Sequence, residues 1–196
     1  GSEACGECRI DAIAQAFAAL DTHADRGRVH TALTSAVEHL FDREHNVVRL
    51  FDPPITRRTP ETGYVRSYGA GLRENGGQYT HGALWLAMAL LRTGRTAEGA
   101  EILHAVLPAA HDPARYEGEP YVLAADIAGG DNAGVAGWTW YTGAAGWYLR
   151  IAAEDLLGLH LRGGVLYPEP HLPAGWPECT VRWRDGAGPS ACGPTA

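Results

Sequence analysis

The sequence predicts a mainly α-helical fold, an antiparallel helical array or α/α toroid, followed by the start of a β-domain. Apolar residues recur at helical spacing in successive segments up to about residue 157, with no strand pattern between them. Beyond that point the period changes to alternation broken by Gly and Pro, which is typical of short strands. The helical segments share no fixed repeat length, which argues against a simple solenoid.

The first two helices are predicted from apolar stripes over residues 9–20 and 29–40. The stripes consist of Ile10, Ile13, Ala14, Phe17 and Leu20, and of Val29, Leu33, Val37 and Leu40. Residues 51–77 follow as a long irregular stretch rich in Pro and Gly. Loops of that size are usually functional or tightly packed.

The middle helices are predicted from periodicity and start signals. Residues 79–92 have a helical pattern, and Thr96 is predicted to cap a helix over residues 97–106. Glu119 and Pro120 are predicted to open a short helix that ends near Gly129.

The last helix is predicted over residues 142–157, with Thr142 as its N-cap and Gly158 closing it. Short strands are predicted near residues 159–161, 165–167 and 180–183. The tail after residue 184 is rich in Gly, Ala, Pro and Ser, which predicts disorder.

Composition excludes several classes of protein. The 196 residues carry 16 basic and 23 acidic side chains, a net charge of −7, and every basic residue is Arg. An acidic chain without a basic run is a poor match for nucleic acid or anionic membranes. The longest strongly apolar stretch is far shorter than the roughly 20 residues that a membrane span needs, and no signal-peptide pattern opens the chain.

The four cysteines are Cys5, Cys8, Cys179 and Cys192. The first two have a CxxC spacing, which is compatible with zinc or redox chemistry. No further Cys or His motif completes a tetrahedral set, so free thiols in a reducing compartment and no metal site are the prediction.

A polar, Gly-containing segment, RENGGQYTH, runs from Arg73 into a helix at His81. Backbone N–H groups and the helix dipole favour an anion at such a position. The alternative is an ordinary capped helix start in which His81 is only hydrogen-bonded.

The segment Glu119-Pro120-Tyr121 places a carboxylate beside an aromatic ring. A carboxylate that accepts hydroxyls and a ring that covers a pyranose face together can hold a sugar. The alternative is that Glu119 only complements a helix dipole.

The segment GWTWYTGAAGW, residues 137–147, concentrates aromatic rings and glycines. A Thr142 hydroxyl and a Gly143 amide at a helix start can bind phosphate, and glycine allows close approach to the backbone. A tight helix–helix crossing is an alternative reason for the small residues, and both can hold.

The strings RENGGQYTHGALW, EPYVLAADI and GWTWYTGAAGW resemble the glycoside phosphorylases of family 94, formerly grouped as glycosyltransferase family 36. The opening ECRIDAIAQAF and the run LHLRGGVLYPEPHLPAGWP resemble it too, and the cyclic β-1,2-glucan synthase branch is the most similar. The resemblance implies an (α/α)6 barrel with a flanking β-domain. Residues 1–158 would then be the C-terminal half of the barrel and 159–184 the start of the β-domain. Residues 185–196 do not resemble the family and are predicted from their composition to be a disordered tail.

The resemblance also implies a reaction and site residues. The family cleaves a β-glucoside with inorganic phosphate and inversion, so one catalytic acid is needed and no cofactor. Phosphate binding would fall to His81, Thr142 and Gly143. Sugar binding would fall to Glu119, Tyr121, Gln78 and Trp140.

The departures from the family matter as much. The family's general acid is an Asp in a GDWNDG-like segment, and this sequence contains no such string, so we expect no catalytic residue here and no activity from this chain alone. Gly118 stands where a basic residue is expected. A non-catalytic carbohydrate-binding remnant and an α/α-barrel hydrolase, with Glu119 or Asp126 as its base, remain open alternatives.

The expected partners are a β-glucoside or glucan oligosaccharide, with phosphate or glucose 1-phosphate. The expected location is the cytoplasm, or the cytoplasmic side of a larger membrane-anchored synthase. A half-barrel would leave apolar residues of its first and last helices uncovered, which predicts self-association such as a homodimer. The residues concerned are Ile10, Ile13, Phe17, Leu20, Ile151, Leu156 and Leu157.

Overall fold

The computed structural model describes residues 6–56, 62–185 and 188–192 of the chain. Helices dominate these ranges, so the mainly α-helical prediction is confirmed. The helices are α1 (Ala12–Leu20), α2 (Arg26–Leu40), α3 (Thr80–Arg92), α4 (Thr96–Ala105), α5 (Pro113–Tyr116) and α6 (Thr142–Arg150). Within the described ranges, no helix is both long and apolar enough to cross a bilayer.

Two aspartates set the starts of the first helices. The Asp11 side chain accepts the Ala14 N–H at 2.9 Å, and the Asp25 side chain accepts the Arg28 N–H at 2.9 Å. Each satisfies one backbone donor that a helix start leaves without an intrahelical partner. Helix α1 therefore begins at Ala12, later than the predicted residue 9, and helix α2 begins at Arg26, earlier than the predicted residue 29.

Three predicted starts need correction. Thr96 and Thr142 are the first helical residues rather than N-caps, since Arg95 and Tyr141 hold the cap positions without a side-chain cap bond. Glu119 and Pro120 lie in a turn and open no helix. The short helix α5 comes earlier, where Asp112 caps Ala114 and Pro113 occupies the first helical position.

The core is built around α3, which packs against α1, α4 and α6. Most of its residues are buried, including Leu84, Leu86 and Leu90 at 0% exposure. A Cβ on Gly99 of α4 would lie 2.8 Å from Leu91, so only glycine allows this approach of α4 to α3. A second, smaller cluster lies apart from this core and consists of Val47, Tyr116, Ala124 and Ile127.

Short strands interrupt the helices, contrary to the prediction of none. The strands are β1 (Ile10–Asp11), β2 (Phe41–Asp42), β3 (Val47–Val48), β4 (Phe51–Asp52), β5 (Gln78–Tyr79) and β6 (Asp126–Ile127). They form the antiparallel pairs β1–β4, β2–β3 and β5–β6. Two residues are too few to show an alternating pattern, so the sequence gives no local signal for them.

The last predicted helix is broken into two parts. After α6 the chain continues as a π-helical turn, Ile151–Leu156, and ends at Gly158 with φ +66°. Ile151 and Leu156 are buried at 0% and 8% exposure, so the predicted uncovered face on this helix is wrong. On the predicted uncovered face of α1, Phe17 is 51% exposed, whereas Ile10, Ile13 and Leu20 are half-buried.

The C-terminal part consists of two antiparallel hairpins. The first joins β7 (Leu159–Arg162) to β8 (Val165–Pro168), and the second joins β9 (Val181–Asp185) to β10 (Gly188–Cys192). The second hairpin includes residues 188–192, which lie in the tail whose composition predicts disorder. Residues 186–187 and 193–196 lie outside the described ranges.

Candidate functional site

The starts of α3 and α6 meet at one end of the helical core. His81 lies in the first turn of α3 and Gly143 in the first turn of α6. A Cβ on Gly143 would lie 2.7 Å from Nε2 of His81, so the imidazole rests directly against this glycine. The positive dipole ends of the two helices therefore lie near each other, which favours an anion at this point.

The His81 ring is held by aromatic neighbours. It stacks on Tyr79 with centroids 5.1 Å apart and lies 5.8 Å from Trp85. Its Nδ1 atom is buried and has no hydrogen-bond partner among the residues that the structure describes. Burial lowers the pKa of His81 below its ordinary value of 6.5. The ring is therefore neutral at pH 7, with one nitrogen as donor and one as acceptor.

We expect acid to destabilise the fold through this ring. Because burial lowers the pKa of His81, the unfolded chain binds more protons there than the folded chain once the pH falls toward 6.5 and below. The free energy of unfolding should therefore fall as the pH drops through this range. NMR titration of the ring should give a midpoint below 6.5, and a midpoint at or above it in phosphate-free protein would refute this.

The variant His81→Asn serves as the control for that titration. It should lose the share of the pH dependence that His81 contributes. It should keep the share of His111, whose pKa burial also lowers.

Trp85 links the start of α3 to α6 through ring contacts. Its ring makes an edge contact with Trp147 of α6 at 5.8 Å and with Phe17 of α1 at 5.4 Å. Such edge-to-face pairs are favourable beyond their buried area. The position of His81 relative to α6 is thus supported by packed rings rather than by a loop.

Asn75 folds the segment that leads into α3. It is fully buried, and its amide oxygen accepts the Ile55 N–H at 2.7 Å. Its amide nitrogen donates to the carbonyls of Ile55 at 2.9 Å and Tyr68 at 2.8 Å. These bonds shape the loop that delivers His81, a role that the sequence pattern did not single out.

Gln78, which is predicted to bind sugar, is a buried residue that supports the start of α3 instead. Its side chain is 0% exposed, its oxygen accepts the Val48 N–H at 2.8 Å, and its nitrogen donates to the Thr80 hydroxyl at 3.4 Å. With both ends of the amide engaged inside the protein, it presents no group to a cleft.

The predicted sugar-binding residues Glu119, Tyr121 and Trp140 are brought together. The indole Nε1 of Trp140 donates to Oε1 of Glu119 at 2.8 Å, and the rings of Tyr121 and Trp140 are 6.2 Å apart. Tyr121 is 75% and Trp140 64% exposed. The backbone N–H of Glu119 itself, and then the Trp140 and Thr139 side chains, hold the pKa of Glu119 below its ordinary value.

Arg73 joins the loop before α3 to the segment before α6. Its guanidinium lies over the Trp138 ring at 3.5 Å, and Tyr141 stacks on Trp138 at 5.4 Å. The Asp126 side chain accepts the Trp138 N–H at 3.0 Å and so holds the backbone of that segment. The contact of Arg73 with Trp138 was not predicted, because a single sequence gives no signal that pairs two residues so far apart along the chain.

Other candidate groups are less informative. One carboxylate oxygen of Glu74 is buried without a hydrogen-bond partner in the described part of the chain. Cys179 carries a free thiol, while Cys5, on which the CxxC reading depends, lies outside the described residues. The described ranges contain no cluster of His, Cys, Asp and Glu that could hold a metal ion.

Comparison with known proteins adds independent information. Residues 1–158 match the family model described as the catalytic domain of the glycosyl hydrolase 94 superfamily. Over 183 residues the chain is 44% identical to the cyclic beta-(1,2)-glucan synthase NdvB of Rhizobium meliloti (strain 1021). The aligned region covers 90% of this chain and 6% of NdvB.

Two phosphorylases are also similar. Solabiose phosphorylase of Paenibacillus borealis is 29% identical over 93% of this chain and 24% of its own length. N,N'-diacetylchitobiose phosphorylase of Vibrio proteolyticus is 27% identical over 91% of this chain and 23% of its own length. The chain thus spans less than a quarter of the length of each of these relatives.

Proposed function

Since the chain belongs to the glycosyl hydrolase 94 superfamily, we propose that it is part of an inverting β-glucoside phosphorylase or cyclic β-1,2-glucan synthase. We propose that it supplies the phosphate side and part of the sugar cleft, within an (α/α)6 barrel. The observation that carries this is the contact of His81 with Gly143, which brings two helix starts to one point. The names of the similar proteins, a glucan synthase and two disaccharide phosphorylases, support the same class.

In this proposal each residue has a distinct role. The N–H groups at the start of α6 and the Thr142 hydroxyl bind phosphate, and the neutral His81 donates one further hydrogen bond. Phosphate held in this way replaces the attacking water of an inverting hydrolase. The Glu119 carboxylate accepts hydroxyls of the sugar, and the exposed rings of Tyr121 and Trp140 cover its faces.

Phosphate titration of the full 196-residue chain tests the phosphate site. In NMR spectra, the Gly143 amide and the His81 ring should shift together as inorganic phosphate is added. Sulfate should compete, and chloride at matched ionic strength controls for screening. If neither signal moves at tens of millimolar phosphate, the proposal fails.

We expect Glu119→Gln to weaken sugar binding without affecting phosphate. Gln keeps the shape of the side chain but loses the charge that strengthens a hydrogen bond to a sugar hydroxyl, so the affinity for a β-glucoside should fall several-fold. Tryptophan fluorescence or NMR titration measures this. Glu178→Gln, which removes an exposed carboxylate in the C-terminal part of the chain, is the control. Equal losses of β-glucoside affinity in both variants would show that Glu119 has no specific role in sugar binding.

We expect no phosphorolysis from this chain alone. The sequence holds no GDWNDG-like segment, and the lack of a general acid typically costs about 10²–10⁴ in rate. Incubation with β-glucosides and phosphate should yield no glucose 1-phosphate above background. Substantial glucose 1-phosphate would show that the acid is in this chain. Free glucose made without phosphate would favour a hydrolase that uses Glu119 or Asp126.

A further inference from the structure

Helix α3 and the segment formed by α6 and its π turn run side by side in the same direction and touch at both ends. At the N-terminal end His81 rests against Gly143. At the C-terminal end Nε of Arg92 donates to Oδ1 of Asp155 at 2.5 Å. The two contacts together define how far one helix is displaced along the other.

The parallel arrangement needs such a constraint. Parallel neighbours place like dipole ends together, and the convergence of two positive ends at His81 and Gly143 is unfavourable until an anion binds. The aromatic contact of Trp85 with Trp147 holds the helices together laterally. Apolar packing is largely non-directional, so it opposes separation more than sliding.

Asp155 is suited to resist sliding. Its side chain is 3% exposed, whereas that of Arg92 is 44% exposed. A buried carboxylate that loses its cation is strongly unfavourable, so Asp155 cannot move away from Arg92 freely. The backbone at this point is also fixed, because the carbonyl of Asp155 lies 2.9 Å from Nδ1 of His171.

The π turn matches the lengths of the two segments. The stretch from Gly143 to Asp155 is one residue longer than the stretch from His81 to Arg92. Within the turn the Leu157 N–H donates to the Ala152 carbonyl at 2.9 Å, five residues back, so the wider turn absorbs the extra residue. Asp155 therefore reaches Arg92 while Gly143 stays opposite His81.

We propose that Arg92 and Asp155 are positioning residues whose ion pair sets the register of α6 against α3 and so holds Gly143 against His81. The consequence for ligand binding rests on the proposed phosphate site. The register itself is a property of the chain without any ligand, and it can be measured separately.

The test uses Asp155→Asn in the full chain, with two readouts. The first is the nuclear Overhauser effect between the His81 ring and the Gly143 α-protons without phosphate. The second is the dissociation constant for inorganic phosphate. Loss of the buried charge should weaken the first and raise the second about tenfold. Arg92→Lys, which keeps the charge pair, should stay close to the wild type in both.

Glu154→Gln is the matched control, because it removes the exposed Arg150–Glu154 pair on the same segment without touching α3. It should change neither readout. If Asp155→Asn lowers only the melting temperature and keeps both readouts, or if Glu154→Gln has the same effect as Asp155→Asn, the proposal is overturned.

Two further outcomes separate the hypotheses. If wild-type protein binds no phosphate but Asp155→Asn still loses the Overhauser effect, the proposed function fails and the positioning role stands. If Asp155→Asn does not fold, Arg92→Gln tests the proposal instead, because Arg92 is the more exposed partner of the pair. It should change the same two readouts in the same direction.

Discussion

Gly143→Ala should abolish most of the phosphate affinity while leaving the helical core intact. The new Cβ would lie 2.7 Å from Nε2 of His81, and the ring cannot yield easily because it is packed on Tyr79 and Trp85. Both the imidazole and the first amides of α6 must then move. Each hydrogen bond to a charged ligand contributes about 1.5–3 kcal/mol, so disturbing two should weaken phosphate binding by about 100-fold or more.

Gly146→Ala provides the matched control three residues further along α6. Nothing lies within 4 Å of a Cβ there, so the change should stabilise the helix by about 0.5–1 kcal/mol and leave phosphate affinity unchanged. Calorimetric titration with phosphate and thermal unfolding measure both quantities. Wild-type affinity in Gly143→Ala would show that the close approach to His81 has no part in anion binding.

Gly71→Ala should cause a large loss of stability. Gly71 has φ +85°, and an added Cβ would lie 2.5 Å from the backbone oxygen of Gly129. The same two residues are joined by the Gly129 N–H, which donates to the Gly71 carbonyl at 2.7 Å. Backbone cannot rotate away as a side chain can, so the bond must break or the loop must shift. We expect a loss of about 3 kcal/mol or more in the free energy of unfolding.

Gly94→Ala is the control that separates backbone strain at positive φ from the steric clash of the new Cβ. Gly94 has φ +81° but open space around its Cβ position, so it should lose only about 1 kcal/mol for the left-handed backbone. Chemical denaturation of the two variants gives the difference. Similar losses in both would show that the contact of Gly71 with Gly129 contributes nothing beyond backbone conformation.

The sequence was a good guide to helices that bury an apolar stripe and a poor guide to where they begin. The stripe of α2 is long enough to be recognised, but Asp25 starts the helix earlier through a single hydrogen bond. Thr142 has a preferred cap side chain, yet Tyr141 holds the cap position. A start depends on one local contact, whereas a stripe averages over many residues.

Within the candidate site the outcome depends on neighbours far along the chain. Gln78 and His81 belong to one motif, but contact with Val48 turns Gln78 into a buried support. His81 instead faces a helix start more than sixty residues later. The roles of His81, Thr142 and Gly143 stay predictions, although the structure brings His81 and Gly143 into contact.

The two hydrophobic clusters differ greatly in size, and this divides the site into parts of unequal rigidity. His81 and Gly143 start helices anchored in the large cluster. The segment that carries Glu119 and Tyr121 is anchored instead through the small cluster around Tyr116 and Ile127. Regions with few buried apolar contacts open locally at a lower free energy than the main core does. We therefore expect the segment that carries Glu119 and Tyr121 to open locally more readily than the helix starts that carry His81 and Gly143. In the proposed function, such local opening would admit and release a saccharide while the phosphate site keeps its geometry.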